Sequence, residues 1–495
     1  MNKEFTNHKR RSPSRITKGM QSVFLGGKLN NWAGVLLFGL IAVSMALVLA
    51  WNINLGLGVF GFVVGLALII VCLLSTESAF YINMACSFFM YHLSRLLFND
   101  EVPAGVVTDL LILVLLLSFF IKGISLKTSL NEFIRSPVII LMVLTFFYSS
   151  LELFNPEGHS VEAWSQAIRK AFEAFVFLFI AFQFFKEEGN IRRYIRVLFV
   201  LCVIAAVYGC IQQWHGLFDF EFRWATAEPL RFGLLFINGE FRKFSTFNDP
   251  TSFGGIMAAC GIFFSVLAMG QRDKRMRRIY LAGVVVMVLA MAFSGTRTAN
   301  VMLVAGLGMY GLLTIDKKRT WVFASIGLIL LIGVLFAPIY GNGTINRFRS
   351  SFMNSDDESY KVRVMARDFI RPYMIRHPFG GGLGTTGNLG LVLNPTSPLA
   401  GFQTDSGYLQ LALETGWIGL IIVCTMYYYI LRNGVRAYFH SGNEEMKWVY
   451  AAATCALFSY YVGMFAQSMI GSITDMAFYY PVLAIILRFK LSHNT

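Results

Sequence analysis

The chain has 495 residues, 56% of them hydrophobic and only 14% charged, with a mean hydropathy of +0.59. Soluble domains carry roughly a quarter charged residues, so this composition excludes an ordinary water-soluble globular protein and implies a polytopic membrane protein. The formal net charge of +14 is that of basic loops meeting anionic lipid, and no nucleic-acid partner is expected from it.

Residues 1–30 carry Lys3, Lys9, Arg10, Arg11, Arg15, Lys18 and Lys28 against Glu4. The first apolar run after them has no small-residue cleavage site, so the segment reads as an uncleaved basic tail on the cytoplasmic side. Apolar runs of spanning length follow at 33–51, 55–75, 79–98, 103–122, 137–154, 168–185, 195–213, 251–270, 279–295, 298–315, 320–338, 407–431, 447–469 and 473–489. The third is the weakest, because Ser87, His92 and Arg95 interrupt it. With the first span starting inside, the cytoplasmic loops are KGISLK, KEEGNIRR, QRDKRMRR, DKKR and RNGVR, each of them basic. About fourteen spans with both termini cytoplasmic satisfy the whole set, and dropping one would turn a basic loop outward. The expected organisation is a basic tail (1–30), N-terminal spans (31–194), a core with arginine-bearing external loops (195–338), a large external loop (339–406) and C-terminal spans (407–495). The seven cysteines are scattered and form no CxxC. Cys202 and Cys210 are eight residues apart, about 12 Å along a helix, which is too far for a disulfide. All seven read as small buried hydrophobes.

This topology makes the external cations informative, since positive charge is disfavoured there. Arg223, Arg231, Arg242, Lys243, Arg297, Arg347, Arg349, Lys361, Arg363, Arg367, Arg371 and Arg376 all fall outside. Any one of them can snorkel to lipid phosphate, but the cluster suits an anionic, phosphorylated substrate. In the large loop, ESYKVRVMARDFIRPYMIRH has helical periodicity. Val362, Met365 and Phe369 share one face, and Arg363, Arg367 and Arg371 recur at i, i+4 and i+8 on another. This predicts an amphipathic helix on the membrane, ended or bent at Pro372, whose arginine stripe grips either a diphosphate or lipid head groups.

Next comes HPFGGGLGTTG, where Gly382, Gly384 and Gly387 match GxGxxG without a βαβ unit around them. A dinucleotide site is not expected; the glycines predict tight turns and close backbone approach to a ligand. Asp405 and Ser406 precede the twelfth span, and either suits an N-cap. The functional alternative for Asp405 is a carboxylate base that deprotonates a sugar hydroxyl. FRKFSTFNDPTSFGG (241–255) and the hairpin SGTRTAN (294–300) would aim Arg242 and Arg297 at one external cavity in a compact bundle. No metal-ligand spacing and no Walker motif occur, so no cofactor is expected.

Residues 242–255, 293–299 and 363–419 resemble, in order and spacing, three motifs of the O-antigen ligase and O-antigen polymerase superfamily of bacterial envelope glycosyltransferases, a likeness covering roughly residues 195–430. The resemblance implies an all-α polytopic helix bundle in the cytoplasmic (inner) membrane, with its active site on the external, periplasmic side. It implies metal-independent, inverting transfer of a glycan from an undecaprenyl-diphosphate-linked oligosaccharide. Arg242 and Arg297 then become diphosphate clamps and Arg363 a third, with Arg367 of the same stripe as a further candidate contact; Asp405, the candidate base, and Arg297 are the expected catalytic residues. Asp405 stands where ligases acting on lipid A core have a histidine, which favours a polymerase of O-antigen, capsule or exopolysaccharide repeat units. A ligase or protein O-oligosaccharyltransferase is the enzyme alternative, a lipid-linked oligosaccharide flippase the non-enzyme one. Expected partners are the lipid-linked donor and the bilayer, with a chain-length regulator as a candidate.

Overall fold

The computed structural model describes residues 53–98, 100, 104–121, 126–158, 160–237, 239–336, 343–353, 368 and 370–492, with scattered helical residues between 39 and 51. The basic tail, most of the first apolar run, and Lys361, Arg363 and Arg367 lie outside the described residues. In chain order the helices are α1 (Ile53–Leu74), α2 (Thr76–Phe98), α3 (Ala104–Ile121), α4 (Leu126–Ile134), α5 (Pro137–Leu151), α6 (Val161–Phe184), α7 (Glu188–His215), α8 (Asp219–Thr226) and α9 (Pro229–Leu235). A two-stranded hairpin, β1 (Phe236–Ile237) and β2 (Glu240–Phe241), leads to α10 (Pro250–Gly270), α11 (Lys274–Phe293), α12 (Arg297–Leu313), α13 (Lys318–Phe336) and α14 (Gly343–Met353). Then follow α15 (370–376), α16 (Gly387–Leu393), α17 (Gly407–His440), α18 (Glu444–Gly463) and α19 (Tyr479–Ser492).

This is an all-α membrane helix bundle. Five helices among the described residues are long and apolar enough to cross a membrane on length and composition alone: α5 with its 3-10 extension to Phe154, α7, α10, α11 and α17. A helix stands at every predicted run from 55–75 onward, but several are shorter or more polar than expected. Inside a bundle a helix can turn polar residues toward protein, as α12 does with the buried Thr298 and Asn300. The run at 473–489 divides into a 3-10 turn (Ile473–Met476) and the 14-residue α19. Pro372 does not end its helix, which continues to residue 376.

The chain forms two compact units: Met1–Asn83 with Asp109–Ser129, and Met84–Thr108 with Leu130–Thr495. In the first, Thr76 and Ser118 share a buried hydroxyl hydrogen bond (3.0 Å) and the Asn83 amide donates to Leu111 O (3.1 Å). The centre of the second is α10, buried along nearly all of Phe253–Ala268 and packed by α7, α11, α12 and α18. Its sequence, GGIMAACG, is small enough for helices to approach closely, the usual basis of packing where lipid and core are equally apolar. Cys260 on α10 faces Cys202 on α7 with sulfurs 3.2 Å apart as free thiols. Outward side chains such as Trp321, Ile329 and Phe336 on α13 are exposed and apolar, the surface that lipid covers.

α17 is broken at Gly416 (φ 66°, ψ −168°). The break frees backbone groups, and the glycine-rich segment takes them up: Gly381 N donates to Leu413 O (2.8 Å), Gly382 N to Glu414 O (3.0 Å), and Trp417 N to Pro378 O (3.0 Å). A Cβ on Gly416 would run into Pro378 O. Gly416→Ala therefore places an L-residue in the left-handed region, a cost of about 1–3 kcal/mol before the clash is counted. Its melting temperature in detergent is expected to fall clearly below wild type; an unchanged value would mean that the break is dispensable.

Candidate functional site

The site is built on the turn between α11 and α12. Ser294 ends α11 with its Oγ donating to Met291 O (2.6 Å), Gly295 takes φ 61°, and Thr296 precedes α12. Thr296 Oγ1 donates to Pro250 O (2.9 Å), and Gly254 of α10 lies directly under Ser294 and Thr296. Arg242 reaches this turn from β2, its Nε donating to Ser294 O (3.2 Å) and its Nη2 to Thr296 Oγ1 (3.0 Å). The two sequence motifs thus meet. Arg297 is exposed at the first position of α12.

A third cation joins them. α14 packs on α12, and the Arg347 guanidinium touches Gly295. Burial first, and then the charge of Arg347, hold Arg242 well below the usual arginine range, at about 10. Arg347 is itself lowered by burial and then by Arg297. Each guanidinium disfavours the charge on its neighbour, so an anion entering among them relieves repulsion. Sequence reading placed Arg347 only among the external cations. Nothing in its local pattern distinguishes it, and only the packing of α14 across the turn does so.

Asp405 is exposed, two residues before α17. Ser406, not Asp405, is the N-cap: its Oγ accepts from Leu409 N (3.4 Å). A cavity of about 200 Å³ opens beside Asp405, lined also by Thr298, Val301, Phe402, Leu409 and Phe465. Asp405 and the start of α12, one residue past Arg297, therefore border the same space. Arg363 and Arg367 lie outside the described residues.

The glycine-rich segment makes the tight turns expected of it, with positive φ at Gly380, Gly382, Gly384 and Gly387, and it packs on the protein's own backbone. Gly380 is pressed against the backbone of Glu414 and Gly416, Gly382 against Gly158, and Gly384 against Ala163. Thr386 Oγ1 donates to the Glu414 carboxylate (2.5 Å). These glycines serve close packing within the chain, and Gly380, Gly381 and Gly382 N are hydrogen-bonded inside the fold.

Behind Arg242 lies a buried arginine that sequence reading treated only as a blemish in a span. Arg95 is 1% exposed, with its guanidinium 4.0 Å from the Trp224 ring centroid and 4.7 Å from that of Phe244. Its Nη2 donates to the carbonyls of Phe247 and Asn248. Those carbonyls lead into Asp249, which caps α10 by accepting from Thr251 N (2.8 Å) and Ser252 N (2.9 Å). Ser245 is held at φ 51° by bonds to Gln212 and Ala205. Gln212 also donates to Glu221 (2.7 Å), whose carboxyl burial raises above the ordinary range. The segment carrying Arg242 is thus fixed from below by Arg95 and from the side by Gln212.

With this geometry established, two comparisons place the chain. The family model described as O-Antigen ligase matches residues 282–424. The O-antigen polymerase of Salmonella muenchen is 27% identical over 268 residues, 52% of this chain and 63% of that protein, so the chain spans less than two thirds of the length of this relative. Together they bear out the resemblance to the O-antigen ligase and polymerase superfamily, and the apolar helices described above are those of a multi-pass membrane protein.

Two measurements follow. Arg95→Ala leaves two carbonyls and two aromatic faces without their cation, at about 2–4 kcal/mol. A large fall in melting temperature is expected, with little rescue by Arg95→Lys, because lysine lacks the planar fork that stacks and donates at once. Asp475, 1% exposed in the 3-10 turn before α19, accepts from Gly471 N (2.7 Å) and Ser472 N (2.8 Å), yet burial pushes its pKa from 3.8 to about 7. The folded state then binds a proton that the unfolded state has lost, so stability falls as pH rises from about 4 to about 7. Thermal melts across that window are expected to show this slope in wild type and not in Asp475→Asn.

Proposed function

We propose that the chain is a polysaccharide polymerase. It joins undecaprenyl-diphosphate-linked repeat units at the outer face of the cytoplasmic membrane, by a metal-independent, inverting glycosyl transfer. The observation that carries this reading is the convergence of Arg242, Arg297 and Arg347 on the α11–α12 turn, next to Thr298, which lines the cavity that Asp405 also lines. Crowded guanidiniums favour a polyanion such as a diphosphate over the neutral glycan attached to it.

In this reading the arginines hold the donor diphosphate, and Asp405 stands at the mouth of the neighbouring cavity, where the acceptor enters. The acceptor hydroxyl oxygen attacks the anomeric carbon from the face opposite the diphosphate. Asp405 takes the hydroxyl proton as the new C–O bond forms. The bond from anomeric carbon to phosphate oxygen breaks with its electron pair, and the arginines stabilise the charge left on the diphosphate. A single displacement inverts the anomeric centre. Arg363 and Arg367 remain further candidates for the same diphosphate. A ligase is the second reading, favoured by the description of the family model that matches residues 282–424.

The test is reconstitution of the purified chain in nanodiscs with a lipid-diphosphate-linked repeat unit, the products being resolved on a gel. Wild type is expected to give a ladder. Arg297→Ala or Arg347→Ala is expected to slow it about 10²–10³-fold, and Asp405→Asn about 10²–10⁴-fold, with melting temperatures preserved. Donor consumption only on addition of a lipid A core acceptor would establish the ligase instead. A full-rate ladder from Asp405→Asn would remove that residue from the mechanism.

A further inference from the structure

The other end of the same helices holds a polar cavity that glycosyl transfer does not use. α11 runs 20 residues from Lys274 to Phe293, about 30 Å, which matches the thickness of a bilayer's hydrocarbon core. The arginine turn follows its last residue. Beside its first turns, a cavity of about 240 Å³ opens between α7, α10, α11 and α18. Arg192, Arg196, Gln271 and Glu445 form its polar lining, and Tyr280 and Trp448 close the other side. Gly270 lets the Trp448 indole pack directly on the end of α10, since a Cβ there would run into it.

The two arginines stand at i and i+4 on one face of α7, about 6 Å apart along the axis, a spacing at which both can reach one phosphate. Arg192 donates through Nε to Glu445 (2.9 Å) and through Nη2 to Glu188 (3.4 Å). Arg196 is exposed and has no ion-pair partner among the described residues. Arg272, Lys274, Arg275, Arg277 and Arg278 follow on the α10–α11 connection and the start of α11. Basic pockets between helices at an interface bind acidic lipid head groups, and tryptophan and tyrosine settle at head-group depth.

We propose that this cavity is a binding site for the phosphate of an anionic glycerophospholipid. Arg196 and Arg192 hold the phosphate, Gln271 donates its amide, and the lipid's apolar part lies against Trp448. Glu445 is a built-in competitor, because it occupies the Arg192 fork that the phosphate would take. The site is independent of the reaction proposed at the opposite end.

The experiment uses the full chain in mild detergent. It is titrated with dioleoylphosphatidylglycerol, dioleoylphosphatidylcholine or inorganic phosphate, and followed by native mass spectrometry and thermal melting. Phosphatidylglycerol is expected to stay bound and raise the melting temperature, whereas phosphatidylcholine and free phosphate do neither. Arg196→Ala is expected to weaken phosphatidylglycerol binding about tenfold, the worth of one charge-assisted hydrogen bond, with its melting temperature in phosphatidylcholine unchanged. Glu445→Gln tightens binding, and Arg193→Ala, outside the cavity lining, leaves it as in wild type. Equal losses from Arg193→Ala and Arg196→Ala would reduce the effect to diffuse surface charge and overturn the site. Equal retention of phosphatidylcholine would also overturn it. Displacement of phosphatidylglycerol by inorganic phosphate at similar concentration would reassign the cavity to a soluble phosphate.

Discussion

The contact on which the rest of the second unit depends is that of Gly254 with Ser294 and Thr296. A side chain at Gly254 would collide with both. Because there is none, the α11–α12 turn sits on the first turn of α10. In that position Thr296 can reach Pro250 O and Arg242 can reach the turn. In a membrane, where apolar surface gains little by leaving lipid, such close approach and the hydrogen bonds it permits supply much of the packing energy. Gly255 repeats the device one residue on, where a Cβ would meet Met469 of the segment after α18. α10 is thus wedged between the arginine turn and the connection that carries Asp475.

Holding three arginines together in a half-buried place costs free energy, and the surroundings offset it. Arg242 gives two of its donors to the turn itself, so it is as much a tie as a ligand. Its charge survives at neutral pH because even a depressed value of about 10 lies well above 7. Arg95 plays the opposite part: fully enclosed and sandwiched by rings, it spends its charge on backbone carbonyls and holds the chain that delivers Arg242. Two arginines that look alike on paper differ because one is shielded from any ligand and the other faces the turn.

The break in α17 illustrates the same economy in backbone groups. A helix cannot pass a residue at φ 66° without releasing hydrogen-bonding groups, and the segment 378–384 supplies their partners. That segment's glycines therefore answer to the protein's own backbone. The space where a side chain would stand at Gly380 and Gly382 is filled by the backbone of Glu414, Gly416 and Gly158.

By itself the sequence determined the fold class and the position of most helices, because runs of apolar residues of spanning length have few alternatives in lipid. It also determined that Arg242 and Arg297 stand near the starts of α10 and α12, where a charge interrupts apolar surroundings. It could not decide between Asp405 and Ser406 as cap, since both side chains suit the position, and only the backbone geometry selected Ser406. Nor could it separate Arg347 from its neighbours or show Arg95 as a keystone. Those roles come from contacts 52 to 153 residues apart along the chain, and no local periodicity encodes which distant surface a side chain will meet. The tertiary structure decided them because a guanidinium's role is fixed by what surrounds it: carbonyls and rings for Arg95, other guanidiniums and an open turn for Arg347.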